Sequence, residues 1–271
     1  MEPSPGEIRH YLEEARAAAQ EAGRIQLASY GRAIEITHKG VIDLVTEVDH
    51  RCEEAIVARL RAAFPDHAIL AEEGTLARGD SDFRWIVDPL DGTTNYAHGY
   101  PKFCVSIALE HRGRILLGVV FDPVLDEEFT AVRGQGALKN DRPIHVSGCR
   151  ELLKALLSTG FAYDIRENPD NNVDYFTAFI MAAQAVRRDG AAAIDLCYTA
   201  MGRFDGFWEL QLKPWDVAAG GLIVREAGGR VTDFEGRDTE AEGSRIVASN
   251  GLLHEVMLEV IGKVRAAQQP G

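Results

Sequence analysis

The chain has 271 residues, 46% hydrophobic and 26% charged, with 42 acidic against 29 basic side chains and a formal net charge of −13. That length supports one large domain or two tightly packed halves, while the charge argues against nucleic-acid backbones and anionic membranes as partners. It also repels phosphorylated metabolites unless a local cation reverses the sign.

No run approaches the ~18 apolar residues a membrane helix needs. The acidic start MEPSPGEIRHYLEEA lacks the features of a signal peptide. Four scattered cysteines, Cys52, Cys104, Cys149 and Cys197, form no CxxC pair, so buried thiols in a reducing cytoplasm are expected rather than zinc or redox sites.

In chain order, Ile8, Leu12, Ala15, Ala19 and Ala22 recur at helical spacing and predict a helix over 6–29. Thr46 reads as an N-cap with Asp49 three residues on, opening a helix through Cys52, Ile56, Val57 and Leu60 that stops at Phe64-Pro65-Asp66. A short strand over 67–73 delivers Glu72 and Glu73 at its end. Strands follow at 85–87, 103–110, 115–121 and 128–132. Beyond about residue 150 the pattern alternates. It predicts strands at 155–158, 205–210, 230–233 and 245–248, and helices at 173–187, 193–203 and 215–227. A last helix is expected over 251–266, capped by Asn250. Strands first and alternation later predict an α/β protein of two packed halves, 1–148 and 149–271.

Four stretches carry acids that a ligand site would explain. In WIVDPLDGTTN, residues 85–95, Asp88 lies where a buried strand ends, Pro89 turns the chain, and Asp91 follows. Gly92 permits a left-handed turn, and Thr93, Thr94 and Asn95 suit a helix N-terminus, whose free N–H groups fit an anion. Two carboxylates in one turn raise each other's pKa unless a cation binds, and an all-oxygen donor set selects magnesium before manganese or calcium. Pro89 stands where aspartate-nucleophile phosphatases with a DGT motif carry their attacking carboxylate, so metal-activated water is the expected nucleophile. In KPWDVAAGGLIVREAGG, Pro214 starts a helix and Asp216 falls in its first turn, where it can serve the helix dipole or a ligand. AILAEEG ends in Glu72 and Glu73; DLVTEVD carries Asp43, Thr46 and Asp49. Taken singly, these acids read equally as turn formers, helix caps and solvated loops.

Together, and in this order, DLVTEVD, AEEG, WIVDPLDGTTNYAHGYP, STGFAYD, RRDGAAAIDLCYTAMGRFDGFWE and PWDVAAGGLIVREAGG resemble the inositol monophosphatase family, within the lithium-sensitive, magnesium-dependent phosphatases. The resemblance implies a layered αβαβα sandwich of the inositol monophosphatase/fructose-1,6-bisphosphatase type, commonly a homodimer. It implies that Glu72, Asp88 and the Leu90 carbonyl hold one magnesium and that Asp88, Asp91 and Asp216 hold a second, with a weaker third ion near Glu72 and manganese as a substitute. It implies that Thr93 and Asp49 orient and deprotonate the attacking water, and that the N–H groups of Gly92 and Thr93 hold the phosphate. Substrate hydroxyls would meet Asp91, the Gly190–Ala191–Ala192 backbone and Glu209, with Lys39 on a loop near the metals.

Ala191 and Lys213 stand where animal members tend to carry threonine and histidine, which bears on substrate range. His98 reads as a loop brace rather than a ligand contact. The expected reaction is hydrolysis of myo-inositol 1-phosphate. The alternatives are fructose 1,6-bisphosphate, a 3′-phosphonucleotide or histidinol phosphate, or, in a different class, a non-catalytic metal-binding interaction protein.

Overall fold

The computed structural model describes residues 2–32, 36–38, 44–241 and 244–268; Lys39 and Asp43 lie outside them. The chain opens with α1 (Pro5–Ser29), started by a capping box in which Ser4 Oγ accepts from the Glu7 N–H and the Glu7 carboxylate accepts from the Ser4 N–H. A two-stranded ribbon, β1 (Ile36–His38) and β2 (Leu44–Thr46), leads into α2 (Glu47–Ala63). Then come β3 (Ala68–Ala71), β4 (Leu76–Ala77), β5 (Phe83–Asp91), the short α3 (Thr93–Ala97), β6 (Cys104–His111), β7 (Arg114–Asp122), β8 (Glu127–Val132), β9 (Ala137–Lys139) and β10 (Arg142–Pro143). These strands, from β3 on, form one eight-stranded sheet in the order β10-β9-β8-β7-β6-β5-β3-β4.

The rest comprises β11 (Leu156–Thr159), α4 (Val173–Ala182), β12 (Ala185–Arg187), α5 (Ala192–Ala200), β13 (Gly206–Leu210), α6 (Pro214–Glu226), β14 (Arg230–Thr232), β15 (Arg245–Ser249) and α7 (His254–Gln268). Its five-stranded sheet runs β12-β11-β13-β15-β14.

Alternation along the strands builds the layers. Trp85 and Val87 point into a core shared with α1 and α2, through Ala15, Ala22, Ile56 and Leu60. Ile86, between them, points the other way, into a core formed with α5, α6 and one face of the small sheet. The far face of that sheet, with Trp208 and Val247, packs under Phe179 of α4 and Met257 of α7. The result is the expected αβαβα sandwich. Small residues let α6 sit between its neighbours. A Cβ on Gly118 of β7 would lie 2.8 Å from the Ala219 Cα, and one on Gly220 would lie 2.7 Å from Leu196 Cβ.

Several expected boundaries differ. β5 does not end at Asp88. It continues to Asp91 through a bulge, because Asp88 pairs with Ser106 and Asp91 with Cys104, three steps against two. Pro89 is tolerated there since β3 has already ended opposite Val87, leaving no ladder bond to lose. The helix expected over 173–187 stops at Ala182, and 185–187 pair with β11 as an edge strand. The helix expected to reach residue 203 stops at Ala200. The last helix starts at His254; Asn250 serves the turn before it, its Oδ1 accepting from the Leu252 and Leu253 N–H groups.

Candidate active site

The bulge in β5 sets up everything else. Strand alternation puts Asp88 on the face of Ile86, toward α5 and α6, and its Oδ1 accepts from the Leu90 N–H at 3.0 Å. The bulged peptide is pinned from behind: Gln26 Nε2 of α1 donates to the Pro89 carbonyl at 2.8 Å. Gly92 then turns the chain with φ +93°, and a Cβ there would lie 2.8 Å from the Lys102 carbonyl. Only glycine satisfies both constraints. The turn opens α3, whose first N–H groups have no partner within the helix, and Gly92, Thr93 and Thr94 line the cleft.

Thr93 Oγ1 lies 2.9 Å from Asp49 Oδ1 and 3.0 Å from the Leu90 carbonyl, and its one proton serves one of them at a time. The other oxygen of Asp49, Oδ2, accepts from the Thr46 N–H at 2.9 Å and the Thr46 hydroxyl at 2.5 Å. Asp49 is fully buried, and burial raises its pKa against the lowering by these hydrogen bonds. Glu72 follows β3, its N–H donating to the Val87 carbonyl at 3.2 Å. Asp216 enters from the first turn of α6, with Oδ2 accepting from the Lys213 N–H at 2.6 Å.

These elements border a cleft of about 460 Å³. Glu72, Asp88, Leu90, Asp91, Gly92, Thr93 and Asp216 line it, as do Gly190, Ala191, Ala192 and Glu209. Asp49 stands behind Thr93 and reaches the cleft only through that hydroxyl. His98 caps the C-terminus of α3 and is not part of the wall. Asp91 joins the two walls: its Oδ2 accepts from the Ala193 N–H at 2.8 Å. Asn95 does the same from the other side, Nδ2 donating to the Lys102 carbonyl at 2.7 Å and the Asp189 carbonyl at 2.8 Å. It therefore lies in the first turn of α3, as expected, and also clamps two loops together. Phe161, Tyr163, Arg188 and Trp215 also line the cleft, though the sequence alone assigns none of them a role. Their only signal was membership of the motifs STGFAYD, RRDGAAAIDL and PWDVAAGG.

The acids repel. Burial first, then Glu72, Asp91 and Asp216, push Asp88 well above the usual carboxylate range. Burial carries Asp91 to about 7, with Glu72 contributing against the lowering by the Ala193 N–H. Asp216 also reaches about 7, though it keeps more solvent contact at the cleft edge than Asp91 does. Among the described residues no three His, Cys, Asp or Glu side chains close on a single point as they stand. The donor set nevertheless fits a hard divalent cation: Glu72, Asp88, Asp91, Asp216 and the Leu90 carbonyl offer only oxygens, and their mutual repulsion is what such an ion relieves.

A left-handed turn that opens a helix beside facing carboxylates is an arrangement suited to a phosphate and to the cations that balance the acids. The family model "Inositol monophosphatase family" matches residues 7–267, and the chain belongs to that family. It is 46% identical over 257 residues to "Nus factor SuhB" of Pseudomonas aeruginosa, covering 92% of this chain and 95% of that one. It is 45% identical over 260 residues to the inositol-1-monophosphatase of Synechocystis, covering 95% and 91%. The solved inositol monophosphatase of Anabaena superposes with a TM-score of 0.86 at 43% identity, covering 95% of this chain and 97% of that one.

Proposed function

We propose that this protein hydrolyses the phosphate monoester of a small polyol, myo-inositol 1-phosphate foremost. The observation that carries the reading is the Thr93–Asp49 pair, a hydroxyl held 2.9 Å from a fully buried carboxylate beside the Gly92 turn and the facing acids. Glu72, Asp88, Asp91, Asp216 and the Leu90 carbonyl would hold magnesium, two or three ions in all, or manganese in its place. When bound, the metal neutralises the acids and the phosphate and acidifies a water near neutral pH.

The chain's own residues do the rest. Thr93 Oγ1 accepts a hydrogen bond from the attacking water while its own proton goes to Asp49 Oδ1. Thr93 thereby orients the water, and Asp49, shielded from solvent, takes up the proton that leaves. The Gly92 and Thr93 N–H groups face the phosphate oxygens. Asp91, the Gly190–Ala192 backbone and Glu209 face the hydroxyl-bearing part. Burial, then the neighbouring Asp195, Asp216 and Asp91, raise the Glu209 pKa well above its usual value.

The names of the relatives divide between an inositol phosphatase and a Nus factor, so a second reading gives this chain a role of that kind beside catalysis. We further propose a cytoplasmic homodimer. No helix among the described residues is long and apolar enough to cross a membrane.

The test is phosphate release from inositol 1-phosphate, fructose 1,6-bisphosphate, 3′-phosphoadenosine 5′-phosphate and histidinol phosphate, with magnesium and with a chelator. Magnesium-dependent release fastest on inositol 1-phosphate supports the reading. A faster relative would move the substrate and leave the chemistry. No release from any would favour a non-catalytic role.

A further inference from the structure

Asn172 immediately precedes α4, at the position where asparagine ordinarily caps a helix. Its side chain makes no cap. The neighbouring Asn171 Oδ1 accepts from the Val173 N–H instead, at 3.0 Å. Asn172 turns inward, only 2% exposed, and its amide is used completely. Nδ2 donates to Thr159 Oγ1 at 2.6 Å and to the Gly160 carbonyl at 2.6 Å. Oδ1 accepts from Trp208 Nε1 at 2.7 Å. Thr159 Oγ1, in turn, donates to the Trp208 carbonyl at 2.5 Å. One amide therefore ties the end of β11 to β13 at the residue before Glu209.

Glu209 has no slack at that junction. A Cβ on Gly160 would lie 2.2 Å from Glu209 Oε1 and 2.4 Å from Oε2, so the carboxyl rests directly on the Gly160 Cα. Gly160 and Glu209 both line the cleft, whereas Asn172 does not. A shift of the 159–160 segment by a fraction of an ångström would move or free the carboxyl, because nothing else intervenes.

We infer that Asn172 is a positioning residue for substrate choice, acting through the Thr159–Gly160 segment to hold Glu209 against the hydroxyl-bearing part of the substrate. This rests on the reading of Glu209 given above. Asn172 stands apart from the Thr93–Asp49 pair and from the facing acids, so its loss falls on recognition and not on the bond-breaking step.

The experiment compares inositol 1-phosphate with p-nitrophenyl phosphate, which has no polyol, in wild type, Asn172→Ala, Glu209→Ala and the double variant. Asn172→Ala should raise KM for inositol 1-phosphate about tenfold, the scale of one misplaced hydrogen bond to a substrate hydroxyl, with kcat within about twofold. Turnover of p-nitrophenyl phosphate should stay within about twofold of wild type. The double variant should lose no more on inositol 1-phosphate than the worse single one, because both act through one carboxyl.

Equal losses on both substrates, or multiplying losses in the double variant, would overturn the inference while leaving the Glu209 reading intact. If Glu209→Ala leaves the ratio between substrates unchanged, the Glu209 reading fails and the inference falls with it. Should Asn172→Ala fold poorly, Thr159→Val removes isosterically the hydroxyl that joins Asn172 to the Trp208 carbonyl, leaving the Asn172 bonds to Gly160 and Trp208 Nε1, so a smaller loss of the same kind is expected and the same two outcomes decide.

Discussion

Removing one acid from the cleft should strengthen the metal-free fold while abolishing activity. Asp91 is the clearest case. Its folded pKa, about 7, lies above the ordinary 3.8, so the folded protein prefers it neutral. A raised carboxylate pKa contributes stability that is present below 3.8 and is lost as pH rises through 7. Roughly 3 pH units at ~1.4 kcal/mol each give an upper bound of about 4 kcal/mol lost by pH 8 without metal.

Asp91→Asn avoids that loss. Placed where Oδ2 stands, the amide oxygen can still accept from both the Ala193 N–H and the Cys104 thiol, which meet that one atom at 2.8 and 3.6 Å, though as a neutral and weaker acceptor. Allowing about 1 kcal/mol for that change, the variant should be more stable than wild type in chelator at pH 8 by ~2–3 kcal/mol, or about 5 °C in Tm for a chain this long. Saturating magnesium should reverse the order, because ligand binding stabilises only the chain that retains the full acid set. The assay is thermal unfolding of both proteins in chelator and in magnesium, with phosphate release measured alongside. A variant less stable than wild type in chelator, or one stabilised by magnesium as strongly as wild type, would refute the repulsion argument.

Three further outcomes follow from particular residues. Gly92→Ala should cost ~2–4 kcal/mol in urea unfolding and most of the turnover, since the left-handed turn and the approach to the Lys102 carbonyl both exclude a Cβ. His254 is fully buried between Thr232 Oγ1 and Ser249 Oγ, each 2.9 Å away, and burial, then Arg230, lowers its pKa to about 4. Its stability contribution is complete above the unfolded value of 6.5 and is lost as pH falls toward 4, so His254→Gln should remove about 2 kcal/mol of the difference between unfolding at pH ~7 and pH ~5. Gly118→Ala, meeting Ala219 at 2.8 Å, should lower Tm by displacing α6, with Asp216 carried along and magnesium affinity reduced.

Much of this was legible in the sequence because a carboxylate has two oxygens and can serve two ends. Asp49 reads as a capping-box acid and as a partner of Thr93, and the structure gives Oδ2 to the first role and Oδ1 to the second. Asp216 likewise closes the first turn of α6 while facing the cleft. The α/β class of two packed halves was readable from strands followed by alternation, and the layered sandwich from the family resemblance; Trp85, Ile86 and Val87, all apolar, do not tell in sequence which core each enters. The bulge through Pro89 was not, since it depends on where the neighbouring β3 stops. Ala185–Arg187 looked helical because its strand pairing with Leu156–Ser158 is set by distant chain. Asn95 and Asn172 were opaque for the same reason: their partners lie 94 and 36 residues away, and composition says nothing of such bonds.

The most direct test of the central claim is Thr93→Val, which keeps shape and removes the hydroxyl between Asp49 and the cleft. The account predicts that magnesium still raises Tm as in wild type, while phosphate release from inositol 1-phosphate falls by about 10²–10⁴. Turnover near the wild-type rate in that variant, with magnesium bound, would contradict it.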